Sequence, residues 1–522
     1  MTRLRFPSLL LLGLLTWASC GSPTESATTT QSADNPNTRV DFIVLQLNDV
    51  YEISPLEGGK VGGLARVATL RKQLLEENPN VITILSGDFL SPSLTATLKD
   101  ENGEAFAGKQ MIEVLNALEL DYVTFGNHEF DNKTIEPLQK RLNESEFTWT
   151  SINCFNRIPN GAIPFKKVLA DGSEERVPGS VLHSITSSKG RTIQVGFIGV
   201  TLPFSQQDYV MYSDEVLAVR SEFERIQDQC HVMLGITHLS IEGDRELAQK
   251  VPGFALLMGG HEHDHHQEWV GNTAITKADA NAKSVYVHRI SHQLSNGHTK
   301  VESELVNITD AMASEPGVQA VVNKWENITN ERLVAMGYQP DEVLTTLDQP
   351  LDGRESSIRN QQTDLGNYIA KAMMAAYPES DLALLNSGSV RVDDQLMGDI
   401  TQYDVLRTLP FGGGVVLAEL SGQQLLQTLE IGLKNNKGTG GYLQLGGIRS
   451  ARGVWYLGES EIDPAAQYRV AMTGYMKSGG ESNLEYLEQV SATQADPLPG
   501  YEATRNDIRD AFMAYLRNLE AS

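Results

Sequence analysis

The stretch FGNHEFD, Phe125 to Asp131, sets an amide, an imidazole and two carboxylates within the five positions Asn127 to Asp131. It follows the apolar run DYVTF, and a loop that had only to turn could do so with Asn-Gly or Pro-Asp. The same juxtaposition recurs along the chain. FIVLQL ends in Asn48-Asp49, VITILS in Gly87-Asp88, HVMLGIT in His238, and FALLMGG in His261, Glu262 and His263. Each case alone reads as a helix cap, a turn former or a surface histidine. Together they put Asp, Asn and His just past the carboxyl ends of five apolar runs, the edge of an open α/β sheet where ligands bind. A mixed set of this kind suits borderline or hard divalent cations such as Zn, Mn or Co, with Mg also admissible.

The elements that must carry these tips follow from periodicity. FIVLQL (Phe42 to Leu47), VITILS and YVTF read as buried strands, and LARVATLRKQLLEE and KQMIEVLNALEL as helices, the first with Leu64, Val67, Leu70 and Leu74 at helical spacing. IQVGFIGV, HVMLGITH and FALLMGG continue the alternation, which predicts a layered α/β domain over residues 40–312. A helix at about 315–333, within a linker 313–338, leads to a second α/β domain at 339–522. There glycine becomes dense, in LPFGGG and KGTGGYLQLGG, without the Gly-Lys-Ser/Thr ending of an ATP-cradling loop.

The chain has 522 residues and a formal net charge of −25. That charge argues against a general nucleic-acid binder, which needs a basic face. The N-terminus carries Arg3 and Arg5 ahead of a Leu-rich core, Ser8 to Ala18, too short to span a bilayer and read as a secretory leader over residues 1–19. Ala18 and Ser19 before Cys20 are similar to a bacterial lipoprotein cleavage box, although Trp17 stands where an aliphatic residue is usual. The expectation is an exported bacterial protein, periplasmic or at the cell surface, whose one membrane attachment is a lipid on Cys20, followed by a polar tether to residue 39. Plain secretion is the alternative. Cys154 and Cys230 then remain, and their pairing is left open.

In order, LND, GDFLSPS, GNHEFD, GITHLS and GGHEH resemble the calcineurin-type metallophosphoesterases, and LGNYIA, NSGSVR, LPFGGG, GGYLQLGG and SGGES resemble the second domain of the secreted 5'-nucleotidases. The resemblance runs over about residues 40 to 515. It implies a four-layer α/β/β/α catalytic domain joined by a helix to an α/β nucleotide-specificity domain. It also implies two divalent cations. Asp88 would bridge them, Asp49 and His263 would complete one shell, and Asn127, His238 and His261 the other. His128 and Asp131 would be the catalytic pair, the carboxylate orienting an imidazole that stabilises or protonates the leaving oxygen. Two cations would activate water directly, so Ser86, Ser91 and Ser93 are expected to be structural rather than nucleophilic. Glu129 has no role in this scheme and is expected to be a solvated loop residue.

In the second domain the resemblance implies a base held between Phe411 and Tyr475, with Asn386, Arg391, Arg359 and, less directly, Arg354 as polar contacts. Glu481 stands where a ribose-binding Asp is common. One departure concerns the first motif, where the family has Asn-Asp-x-His. Here it is NDVYE, so Tyr51 replaces a metal-binding imidazole, and Glu52 is the less favoured substitute from that segment. The implied activity is release of phosphate from nucleotides, with 2',3'-cyclic phosphodiesterase or UDP-sugar diphosphatase activity on the same architecture. The implied partner is a nucleotide or other small phosphoester, and no protein partner is implied. The alternatives are a thiohydrolase of sulfur oxidation on the same scaffold and a nucleotide-binding lipoprotein with a weakened site.

Overall fold

The computed structural model describes residues 38–204, 207–494 and 506–519. The expected leader, Cys20 and most of the tether lie outside them. The first strand begins at Arg39, inside the expected tether, because Arg39 is already in register with Gln293. In this first sheet Arg39–Leu47, Val81–Leu85, Tyr122–Thr124 and Thr148–Thr150 run parallel. A second sheet carries Thr192–Thr201, Val232–His238, Leu256–Gly259 and Thr273–Lys277 in parallel, with antiparallel edge strands at each side.

The sheets face each other through one apolar seam. Val44, Ile84, Phe197, Leu234 and Met258 meet in it, so the inner strands are buried on both faces and read as unbroken apolar runs. Helix Leu64–Glu77 covers the outside of the first sheet with Leu64, Val67, Leu70 and Leu74. Helices Glu215–Ile226 and Ile241–Lys250 cover the outside of the second. The result is the α/β/β/α stack, with the carboxyl ends of both parallel sets on one rim.

Two features add to the sequence reading. The hairpin Ser284–Gln293 and His298–Asn307 completes the first sheet antiparallel to Arg39–Leu47. The helix expected at the junction is Pro316–Ala335. It lies on the N-terminal domain, where buried Trp325 donates to Glu113 Oε2 at 3.0 Å and meets Phe106 edge-on. Beyond it, a five-stranded sheet is ordered Leu443–Gly446, Leu382–Asn386, Gln467–Thr473, Val415–Ser421, Ala492–Gln494. Helix Asp364–Ala376 packs against it, with helix Ile508–Leu519 alongside. Cys154 and Cys230 are both free thiols. Among the described residues, no helix is long and apolar enough to cross a membrane.

Candidate active site

Asp49, Asp88 and His238 bring their ligand atoms within 4.8 Å of one another, all three buried. The other expected residues converge on the same point. Asn127 Oδ1 lies 3.3 Å from His238 Nε2, and the His238 and His261 rings stand edge to face at 5.6 Å. His263 Nε2 is 3.8 Å from Asp49 Oδ1. The His128 N–H donates to Asp88 Oδ1 at 2.8 Å, and His128 Nδ1 lies 2.9 Å from Asp131 Oδ2.

The backbone shows why these tips meet. Asp49, Asp88 and His261 all have positive φ, at 51°, 58° and 86°. Non-glycine residues reach that region at a cost of order 1–3 kcal/mol each, which the surrounding structure must offset. Two glycines permit the close approach. A Cβ on Gly126 would fall 2.0 Å from Asp88 Oδ1, and one on Gly260 would fall 2.5 Å from Ser86 O and 2.8 Å from His238 Nδ1.

Glu129 is not solvated. It is 1% exposed, and its carboxylate accepts four backbone N–H groups, from Asp88 (2.8 Å), Phe89 (2.9 Å), Leu90 (3.1 Å) and Gly126 (2.6 Å). Burial and the Asp88 charge push its carboxyl up to about 7, while the N–H donors pull the other way. The expectation of a loop residue facing water fails because those N–H groups turn inward, where no water can satisfy them. Lys277 does a similar task behind the histidines. Fully buried, it donates to Leu239 O at 2.6 Å and Gly260 O at 2.7 Å, and pairs with Asp244 and Glu262, tying the His238 and His261 segments together.

The residues fit a divalent cation. Asp49 Oδ1 is buried with no hydrogen-bond partner. Against burial, Asp88 and Asp49 raise the His238 imidazole to about 10, and burial with the His238 charge lowers His261 to about 3. Burial also raises the Asp49 carboxyl, whereas at Asp88 the His238 and His128 imidazoles outweigh burial and hold the carboxyl well below its usual range. This is a carboxylate-lined pocket whose negative charge a cation would balance.

Tyr51 is a buried phenol whose ionisation is disfavoured by burial and by Asp88 and Asp49, so it stands as a donor. It donates to Asp88 Oδ2 at 3.1 Å and lies 3.3 Å from His263 Nε2. Glu52 does not reach in from the same segment. Burial raises its carboxyl to about 7, with Arg407 and Asp394 of the C-terminal domain as its charged neighbours. The three serines make structural contacts. Ser86 donates to Met258 O, Ser91 to Asp131 Oδ2, and Ser93 caps helix Leu94–Thr97.

The second domain reaches this pocket. Arg391 Nη2 lies 3.2 Å from His128 Nε2, and Arg359 pairs with Glu355, whose Oε2 is 3.7 Å from His263 Nδ1. Asp393 Oδ2 lies 3.1 Å from the same nitrogen, and neither Glu355 nor Asp393 was marked by the sequence motifs. Asn386 Nδ2 donates to Glu481 Oε2 at 3.1 Å. Phe411 and Tyr475 are 57% and 56% exposed, so neither is a core aromatic. Arg354 forks onto Asp352, with Asp264 and Asp393 as further charged neighbours.

Comparison with known proteins gives this geometry its context. Residues 42–265 match the calcineurin-like phosphoesterase family and residues 343–489 the 5'-nucleotidase C-terminal domain. The 5'-nucleotidase of Homo sapiens is 25% identical over 496 residues, covering 84% of this chain and 77% of that protein. In fold, the chain is similar to a 5'-nucleotidase precursor from Thermus thermophilus, with a TM-score of 0.70 at 20% identity, over 92% of this chain and 96% of that one. It is also similar to the sulfate thiohydrolase SoxB of the same organism, with a TM-score of 0.67 at 15% identity, over 92% and 94%. The chain is thus a metal-dependent phosphoester hydrolase that joins a calcineurin-like phosphoesterase domain to a 5'-nucleotidase C-terminal domain.

Proposed function

We propose that the chain is an exported 5'-nucleotidase that releases phosphate from nucleoside monophosphates, the architecture also admitting 2',3'-cyclic nucleotides and UDP-sugars. The observation that carries this reading is the convergence of Asp49, Asp88 and His238 within 4.8 Å, next to the His128–Asp131 pair. Asp88, Asp49 and His263 would hold one cation, and Asp88 with Asn127, His238 and His261 would hold the other. Two bound divalent cations, of the Zn, Mn or Co class with Mg admissible, would supply Lewis-acid polarisation of phosphoryl oxygens and a nucleophilic water at neutral pH. With Tyr51 donating to Asp88, the Asp49 side would offer one imidazole, His263, and would be the weaker of the two.

His128 does the proton work. Its Nδ1 is fixed by Asp131, itself held by Ser91, which aims Nε2 at the leaving oxygen. Arg391, already beside Nε2, supplies positive charge to the phosphoryl group. Arg359 adds to that charge. The exposed rings of Phe411 and Tyr475 offer π-faces for a base. Glu481, oriented by Asn386, offers a carboxylate to a ribose diol. The leader at 1–19, lipidation of Cys20, and the division into a catalytic domain at 40–312, a linker helix and a nucleotide domain at 339–522 belong to the same proposal.

The test is a phosphate-release panel across nucleotides, with Mn, Zn, Co and Mg each supplied to metal-stripped protein, and a thiosulfonate conjugate as the competing substrate. Metal-dependent release from at least one nucleotide is expected. His128→Ala should lower the rate by roughly 10²–10⁴ with metal content intact. Phe411→Ala should raise KM for the nucleotide but not for p-nitrophenyl phosphate, which has no base. Turnover of the thiosulfonate alone would overturn the reading in favour of the thiohydrolase.

A further inference from the structure

His263 is held from both domains. On its Nε2 side are Tyr51 and Asp49, residues of the N-terminal domain. On its Nδ1 side are Asp393 Oδ2 at 3.1 Å and Glu355 Oε2 at 3.7 Å, both from the C-terminal domain. Asp393 is 6% exposed and sits at φ 43°, a conformation its neighbours must enforce. They do so from both sides. Its Oδ1 accepts the Glu355 N–H at 2.8 Å. Lys283 of the N-terminal domain donates to its carbonyl oxygen at 3.0 Å and lies 3.6 Å from its carboxylate.

We propose that Asp393 is a positioning residue for His263, so that the affinity of the Asp49–His263 half-site for its cation depends on the two domains being docked. This rests on the two-metal reading above. An imidazole that gives its Nδ1 proton to a carboxylate has one tautomer, with the Nε2 lone pair free for a cation and the ring fixed in plane. At the other half-site this task falls to backbone of the same domain, since His238 Nδ1 lies 2.7 Å from Ser86 O. The two halves therefore differ in kind. One is preorganised within the N-terminal domain and the other is completed from outside it. Linkage makes the effect reciprocal: if docking tightens the cation, the cation tightens docking by the same factor.

The test is cation binding to the full chain, stripped of metal and titrated with Mn²⁺ or Zn²⁺ against a chelating dye. Asp393→Asn keeps side-chain shape and removes the charged acceptor, and Asp393→Ala removes it entirely. Losing a carboxylate behind a ligating histidine costs roughly 10- to 100-fold in affinity. The expected result is that loss on the weaker of two binding steps, with the stronger step unchanged. Hydrogen exchange supplies the second readout. Cation should slow exchange at 353–359 and 391–394 in the wild type and should fail to do so in Asp393→Asn. If the wild type binds two cations and both steps in Asp393→Asn stay within threefold, the proposal is wrong and the phosphohydrolase reading stands. Equal weakening of both steps also overturns it, since the effect would then be global. If the wild type binds no cation, both fall together.

Discussion

Glu129→Gln is the most informative single change outside the ligands. The substitution preserves shape and replaces one oxygen by an NH₂ group. Oε1 accepts from Phe89 and Leu90, and Oε2 from Asp88 and Gly126, so either orientation of the amide sets a donor against two backbone donors. An unsatisfied buried N–H costs about 1–3 kcal/mol, giving a loss of about 2–6 kcal/mol for the pair. The perturbed segment carries Asp88 at its positive φ, so the geometry of the bridging carboxylate should loosen with it. The assay is urea unfolding of metal-free protein, following the N-terminal domain through Trp149, which packs at 5.3 Å from Phe89 and 4.8 Å from Phe125. Cation affinity is measured in parallel. A stability within about 0.5 kcal/mol of wild type, the range of ordinary surface substitutions, together with unchanged cation affinity, would refute the reasoning and return Glu129 to the status of a solvated residue.

Lys277→Met should destabilise the N-terminal domain by about 3–5 kcal/mol in the same denaturation experiment, because Asp244 and Glu262 lose their buried counter-charge. His288 is buried between Gln46 Oε1 at 2.9 Å and Ser303 Oγ at 2.8 Å, and burial pushes its imidazole down to about 3. The unfolded chain titrates this group near 6.5, so between those values the unfolded state binds the extra proton. The contribution is whole above pH 6.5 and fades by about 1.4 kcal/mol per unit as pH falls toward 3. His288→Gln should flatten the measured stability–pH slope there by that amount, and an unchanged slope would contradict it. Tyr51→His restores an imidazole beside Asp49 and should tighten the weaker cation step by on the order of tenfold, the lower end of what even an outer partner contributes. Unchanged dye-competition curves would show that Tyr51 is not what weakens that half.

What the sequence discloses is tied to burial on two faces. Val81–Leu85 has every residue buried, and so it reads as an apolar run with Asp88 just past its end. The same holds for Val232–His238, and it is why the five polar tips stand out in the sequence. The hairpin Ser284–Gln293 and His298–Asn307 escapes because its inner strand, though mostly buried, carries Ser284, His288, His292 and Gln293 among its apolar residues. Its outer strand alternates exposed Lys300, Glu302 and Glu304 with half-buried Val301, Ser303 and Leu305, a pattern with little apolar weight. The helix Pro316–Ala335 was legible as a helix, but its docking depends on Trp325 finding Glu113 and Phe106, partners more than 200 positions away.

The supporting residues were hidden by a different physics. Glu129 binds backbone N–H groups, and a backbone donor leaves no mark on residue identity, so a buried Glu in a polar loop looks like a solvated one. Asp393 lies 130 positions from His263 and just past the NSGSVR motif, in which Arg391 is the residue with a role. The loss of the first-motif histidine at Tyr51 looked like erosion of one half-site. In the folded chain that half-site is surrounded by more carboxylates than its twin, with Asp393 and Glu355 behind His263 and Asp49 before it. Glu355 is balanced by Arg359 and Asp393 by Lys283, so these charges are held across the junction of the two domains, and the place to look for compensation of Tyr51 is that interface rather than the NDVYE segment itself.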